Sequence, residues 1–122
     1  MIYDKKTKVI ELKELVNEFV EARNWHKYHN PKDIAISIII EASELMELFQ
    51  FVSESDICLI TQDPHKFLHL KEELADVMIY CLSLANTLNV DITQAITDKI
   101  NSNKAKYPVE KVKGNYKKYT EL

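Results

Sequence analysis

ISIIIEASELMELFQF (residues 36–51) and LKEELADVMIYCLSLA (residues 70–85) decide the fold. Both stretches are long, apolar and free of glycine and proline, so both read as buried helix. Each nevertheless carries an acidic pair, Glu41 with Glu44 in the first and Glu73 with Asp76 in the second. On an α-helix an i,i+3 pair leaves its side chains roughly 60° apart and about 4.5 Å displaced along the axis. Two such helices packed together would direct four carboxylates into one apolar crevice. Buried charge of that kind costs several kcal/mol per ion unless something cationic offsets it.

Outward from these two segments, the chain reads as an all-α, four-helix subunit. A first helix is expected from about Thr7 to Ala22, with Val9, Leu12, Val16 and Phe19 as its apolar stripe. RNWHKYHN (residues 23–30) is a connector rich in aromatic and histidine residues. Asn30-Pro31 supplies an N-cap and first helical residue for the second helix, which should run to about Val52. SESDICLITQ (residues 53–62) reads as a loop. Asp63-Pro64 repeats the cap and opens a third helix to about Leu88, and Asp91 with Gln94 has the pattern of a capping box for a fourth, fading before Tyr107-Pro108. Residues 1–108 are expected to form one domain, followed by a basic tail at 109–122 with a turn at Gly114.

The bulk properties narrow the function classes. The 122 residues are 46% hydrophobic and 29% charged, an ordinary globular balance, and suffice for one domain whose core a neighbouring subunit can help to complete. A net charge of −3 argues against general nucleic-acid binding. No run approaches a membrane span, and MIYDKKTKVIELKEL lacks the apolar core of a signal segment. Cys58 and Cys81 match no metal or redox spacing, and Cys81 falls among apolar helical residues. Reduced thiols and a cytoplasmic location are therefore expected.

Position on the helical wheel separates the acidic pairs from ordinary surface charge. Ile34, Ile38, Leu45 and Leu48 recur along one seam, and Glu41 fills the missing place between Ile38 and Leu45. In the third helix the expected seam is Leu70, Leu74, Val77, Cys81, Leu84 and Leu88, with Glu73 on its border and Asp76 further round the same flank. A set of aspartate and glutamate oxygens suits a hard divalent ion, Mg²⁺ first and Mn²⁺ as substitute. Di-iron bundles need Glu-x-x-His motifs, and here Glu44 and Asp76 stand where the histidines would be.

EASE at 41–44 followed by ELAD at 73–76 resembles the Glu-x-x-Glu … Glu-x-x-Asp signature of the all-α nucleoside triphosphate pyrophosphohydrolases. The flanks NWHKYHNPKD, EASELMELFQF, EELADVMIYCLSLA and KINSNKAKYP are similar to the MazG-like branch that includes dCTP pyrophosphatase, in the same order across residues 12–108. The resemblance implies Mg²⁺-dependent hydrolysis between the α- and β-phosphates, with Glu41, Glu44, Glu73 and Asp76 as metal ligands and Glu41 or Glu44 as general base. Glu47 continues the ladder but has drifted from the seam, as a solvated residue would. The family pattern implies Lys99 and Asn103 as triphosphate or sugar contacts, although lysines also suit a final helical turn. Tyr107 resembles a position near the phosphates, with packing as its other reading.

Base recognition requires flat apolar faces with a few polar groups, for which Trp25, Phe51 and Tyr80 are candidates. His29 either touches substrate or supports the helix start beside it. Phe51 and Val16 stand where dCTP-specific relatives carry tryptophan and histidine, which bears on any preference for dCTP or modified dCTP. Helices that are apolar most of the way round imply a homo-oligomer, a tetramer ahead of a dimer, with no nucleic-acid or membrane partner. Two alternatives stay open: a dUTP- or phosphoribosyl-ATP-directed enzyme on the same scaffold, and a non-catalytic helical interaction protein.

Overall fold

A computed structural model describes residues 2–122, and the described residues form helices joined by turns and loops, with no strand. They divide into two compact units, Met1–Asn89 and Val90–Leu122. The first holds α1 (Val9–Ala22), α2 (Pro31–Glu47), α3 (Ile57–Gln62) and α4 (Pro64–Thr87). The second holds α5 (Ile92–Lys106) and α6 (Val109–Val112). Short 3-10 turns occur at His26–Tyr28, Glu54–Asp56 and Tyr119–Glu121.

The helix starts follow local chemistry. The Asn30 side chain accepts the Asp33 N–H at 3.0 Å, and Pro31 follows at the first helical position of α2. Asp63 accepts from the N–H groups of His65 and Lys66 at 2.9 and 3.2 Å, with Pro64 opening α4. The Lys66 N–H above all, with that of His65 and against a smaller opposing effect of burial, holds the Asp63 carboxyl below its ordinary range. Asp91 accepts the Gln94 N–H at 2.8 Å, but the Gln94 amide turns forward to Asp98 instead of back. The reciprocal half of the expected capping box is therefore not made. Thr7 lies before α1, not in it, because its hydroxyl is engaged by the Tyr3 N–H at 3.1 Å in the preceding turn.

Two further boundaries differ from expectation. The second helix stops at Glu47, five residues before Val52. There the N–H groups of Leu48, Phe49 and Gln50 bond three residues back, and Phe51 adopts φ +63°. SESDICLITQ is a 3-10 turn followed by α3, not a loop. Ser53 donates to Asp56 at 2.7 Å, and Ile60 is buried, so one apolar anchor folds the segment against α4. Gly114 does mark a turn, at φ +80°.

α2 and α4 form the most extensive helix pair, and α1 packs on α4 from another side. The expected α2 seam is observed: Ile34 is 1% exposed, and Ile38, Glu41, Leu45 and Leu48 are half-buried. The α4 seam is observed in part, with Leu70, Val77, Cys81 and Leu84 half-buried. Leu74 and Leu88 are exposed, whereas Leu82, Ser83 and Ala85 are buried, because α4 is covered from two directions. Cys81 is half-buried, not a core residue, and Cys58 is exposed, both as free thiols. Large apolar side chains remain uncovered, among them Ile39 at 71%, Met46 at 67%, Ile40 and Met78. Residues 90–122 include no buried residue. No helix of the described residues is long and apolar enough to cross a membrane.

Candidate active site

The pairing of α2 with α4 brings three of the four expected acids together. Glu41, Glu73 and Asp76 each present a carboxylate oxygen, and these oxygens lie within 4.8 Å of one another. Like charges at that separation repel, and the effect is visible at Glu41. Burial, then the Glu44 and Asp76 charges, a hydrogen bond with Glu44 and the Glu73 charge all push its carboxyl above the usual range. Glu44 is exposed and stands beside Glu41, outside the group of three. Glu47 is also exposed and does not join the group.

Glu73 carries the sharpest sign of a missing counter-charge. Its side chain is 14% exposed, and Oε2 is buried without any hydrogen-bond partner. Buried carboxylate oxygens are normally satisfied, because leaving one bare forfeits its hydration for nothing. Its other oxygen accepts from His69 Nε2 at 2.9 Å. Three all-oxygen donors, one of them orphaned, fit a hard divalent cation.

Glu41 and Asp76 also line a cleft of about 250 Å³ between α1, the connector and α4. Trp25, His29 and Tyr80 form its aromatic wall, and Val16, Val20 and Ile79 its apolar lining. The wall is layered: Trp25 stacks on His29 with ring centres 6.3 Å apart, and His29 lies 6.3 Å from Tyr80. Phe19 meets Trp25 edge-on at 5.7 Å, with the Arg23 guanidinium 3.7 Å over the Phe19 ring. His29 Nδ1 is 3.4 Å from the hydroxyl of buried Ser83, which sets the ring's orientation. His29 therefore faces the cleft, while Asn30 alone serves as the cap.

Phe51 is 97% exposed and does not line the cleft. Lys99, Asn103 and Tyr107 belong to the second unit, spaced four residues apart on one face of α5 and its cap. The Tyr107 N–H bonds to the Asn103 carbonyl at 2.8 Å, and its ring meets Tyr119 edge-on at 6.1 Å. Lys99 and Asn103 are exposed. Two polar residues of the site were not expected: Ser83, a lone hydroxyl in an apolar run, and His69, one turn before Glu73. The i,i+4 spacing of a histidine and a carboxylate bordering the seam is the signal the sequence holds for the latter.

A family model described as MazG-like matches residues 36–122, which takes in both acidic pairs. The chain belongs to the MazG-like family. Among similar curated proteins, dCTP pyrophosphatase 1 of Mus musculus is 36% identical to this MazG-like chain over 112 residues, covering 92% of it and 66% of the mouse protein. The Homo sapiens protein of the same name is 33% identical over 112 residues, with the same coverage. The MazG-like chain thus spans 66% of the length of the curated relatives it matches, slightly less than two thirds. Among solved structures, a pyrophosphatase from Archaeoglobus fulgidus aligns with a TM-score of 0.76 at 36% identity, covering 88% of this chain and 99% of that one.

Proposed function

We propose that this MazG-like protein hydrolyses nucleoside triphosphates to the monophosphate and pyrophosphate, using Mg²⁺ or, in its place, Mn²⁺. The observation that carries the proposal is the sharing of one cleft by two kinds of group. Glu41 and Asp76 give it acidic groups, and Trp25, His29 and Tyr80 give it aromatic ones. A nucleotide has the same division, a flat base at one end and a charged phosphate chain at the other. Its resemblance to dCTP pyrophosphatase 1 and to a pyrophosphatase of known structure points the same way.

Glu41, Glu73 and Asp76 would hold the divalent ion, which would supply positive charge against the phosphate oxygens and a more acidic water. Trp25 and Tyr80 hold the base by stacking, and Ser83 keeps the His29 ring in place to hydrogen-bond it. Val16, Val20 and Ile79 exclude water around the base. Glu44, beside Glu41 but outside the cluster, is the carboxylate left free to accept the proton of the attacking water. Attack at the α-phosphorus forms one P–O bond and breaks the bond to the bridging oxygen, which leaves with pyrophosphate. Lys99, Asn103 and Tyr107 are assigned to the triphosphate and sugar.

The same reading places the enzyme in the cytoplasm as a guardian of the nucleotide pool, in keeping with its free thiols. It assembles with copies of itself, a tetramer ahead of a dimer, since Ile39, Met46 and Met78 lie uncovered on one subunit. The decisive experiment is pyrophosphate release across canonical and base-modified nucleotides, with dCTP and its modified forms first. Release should require Mg²⁺ or Mn²⁺ and fall at least about a hundredfold in Glu41→Gln, which removes a ligand charge. Turnover of phosphoribosyl-ATP with every dNTP left intact would move the substrate class. No turnover of any nucleotide would leave a helical interaction protein.

A further inference from the structure

We infer that His69 is a positioning residue, holding the Glu73 carboxylate so that Oε2 is the oxygen offered to the divalent ion. The inference rests on the metal centre proposed above. Glu73 is tied on one side and bare on the other: Oε1 accepts from His69 Nε2 at 2.9 Å, and Oε2 is buried with no partner. A glutamate carboxylate otherwise turns freely about its last torsion. One firm hydrogen bond to Oε1 stops that rotation and fixes where Oε2 points.

His69 is not itself one of the converging ligands, which are Glu41, Glu73 and Asp76. Its ring is 55% exposed while the Glu73 side chain is 14% exposed, so the bond anchors an enclosed carboxylate from the solvent side. An ordinary surface pair would join two exposed groups and leave no orphaned oxygen. The contact needs a proton on Nε2, which both the imidazolium and one neutral tautomer provide. The role is therefore geometric. Outer partners of this kind typically change metal affinity ten- to a hundredfold.

The test measures Mn²⁺ affinity by electron paramagnetic resonance on the full chain, without nucleotide, for the unsubstituted protein, His69→Leu and His69→Gln. Thermal melting in chelator runs alongside. His69→Leu should weaken Mn²⁺ binding at least about tenfold with an unchanged melting temperature in chelator. His69→Gln, whose amide can donate from nearly the same place as Nε2, should recover most of the loss. If His69→Leu fails to fold, His69→Ala carries the same comparison. Native affinity in the leucine variant, or an equal loss with leucine and glutamine, overturns the inference, as does absence of Mn²⁺ binding by the unsubstituted protein. Binding that depends on His69 in this way, without pyrophosphate release from any nucleotide, supports the positioning role and sinks the reaction.

Discussion

Phe51 pairs a left-handed backbone, φ +63°, with a side chain 97% exposed to solvent. A residue with a Cβ pays about 1–2 kcal/mol for that conformation, and neither glycine nor asparagine was selected there. Asn24 and Asn89, by contrast, take positive φ after α1 and α4 at the expected kind of residue. The cost at Phe51 is explained if its ring serves substrate, the role assigned to it from sequence. Phe51→Asn should then fold at least as stably while KM rises about ten- to a hundredfold, the range that loss of an aromatic–base stack gives. Thermal melting beside steady-state kinetics checks both halves, and an unchanged KM would remove Phe51 from the site. At this scale Glu41 was legible, because a carboxylate interrupting a run of isoleucine and leucine seam positions fits a solvated surface poorly. Ser83 was not, since its partner His29 comes within reach only on folding, and His69 shows in the sequence only through its i,i+4 spacing to Glu73.

Among elements, the helix starts were legible and some of the ends were not. Asparagine or aspartate followed by proline states its own geometry, as at Asn30-Pro31 and Asp63-Pro64. The stop of α2 has no such sign, because it depends on Phe51 turning left-handed. α3 was not legible because its six residues, ICLITQ, follow the polar run SESD and are too short to show a helical period, and Ile60 is the one among them that is buried. The Asp63 cap gives a pH dependence with a definite sign. Its folded carboxyl titrates below the ordinary value of 3.8, so its stabilisation is fully present above that value. It is lost as pH falls through the lower folded value. Denaturant melts of the parent and Asp63→Ala should therefore differ by a constant amount above about pH 5 and converge in stronger acid. A gap that widens on acidification would show that the cap bond is not the source.

For the whole molecule, the sequence pattern anticipated helices with more apolar face than one subunit covers. Ile39 and Met46, both on α2, bear this out at 71% and 67% exposure. Faces of that kind mark association surfaces. If the chain assembles as proposed, the double change Ile39→Glu with Met46→Glu should convert the parent's oligomer to monomers by light scattering. An unchanged mass would locate the interface elsewhere. Which face of α4 is covered was not legible, because the answer depends on α1 and α2 approaching from different sides, and periodicity along one helix carries no information about its neighbours.

The lack of any buried residue in 90–122 has a kinetic consequence. Amide protons resist replacement by deuterium only while side-chain packing keeps a helix from opening. Those of α5 should be exchanged within seconds, long before the amides of α2 and α4 give way. If Lys99, Asn103 and Tyr107 grip the triphosphate, adding nucleotide with Mg²⁺ will slow labelling across α5 by at least about tenfold, because a helix must stay shut to keep hold of its ligand.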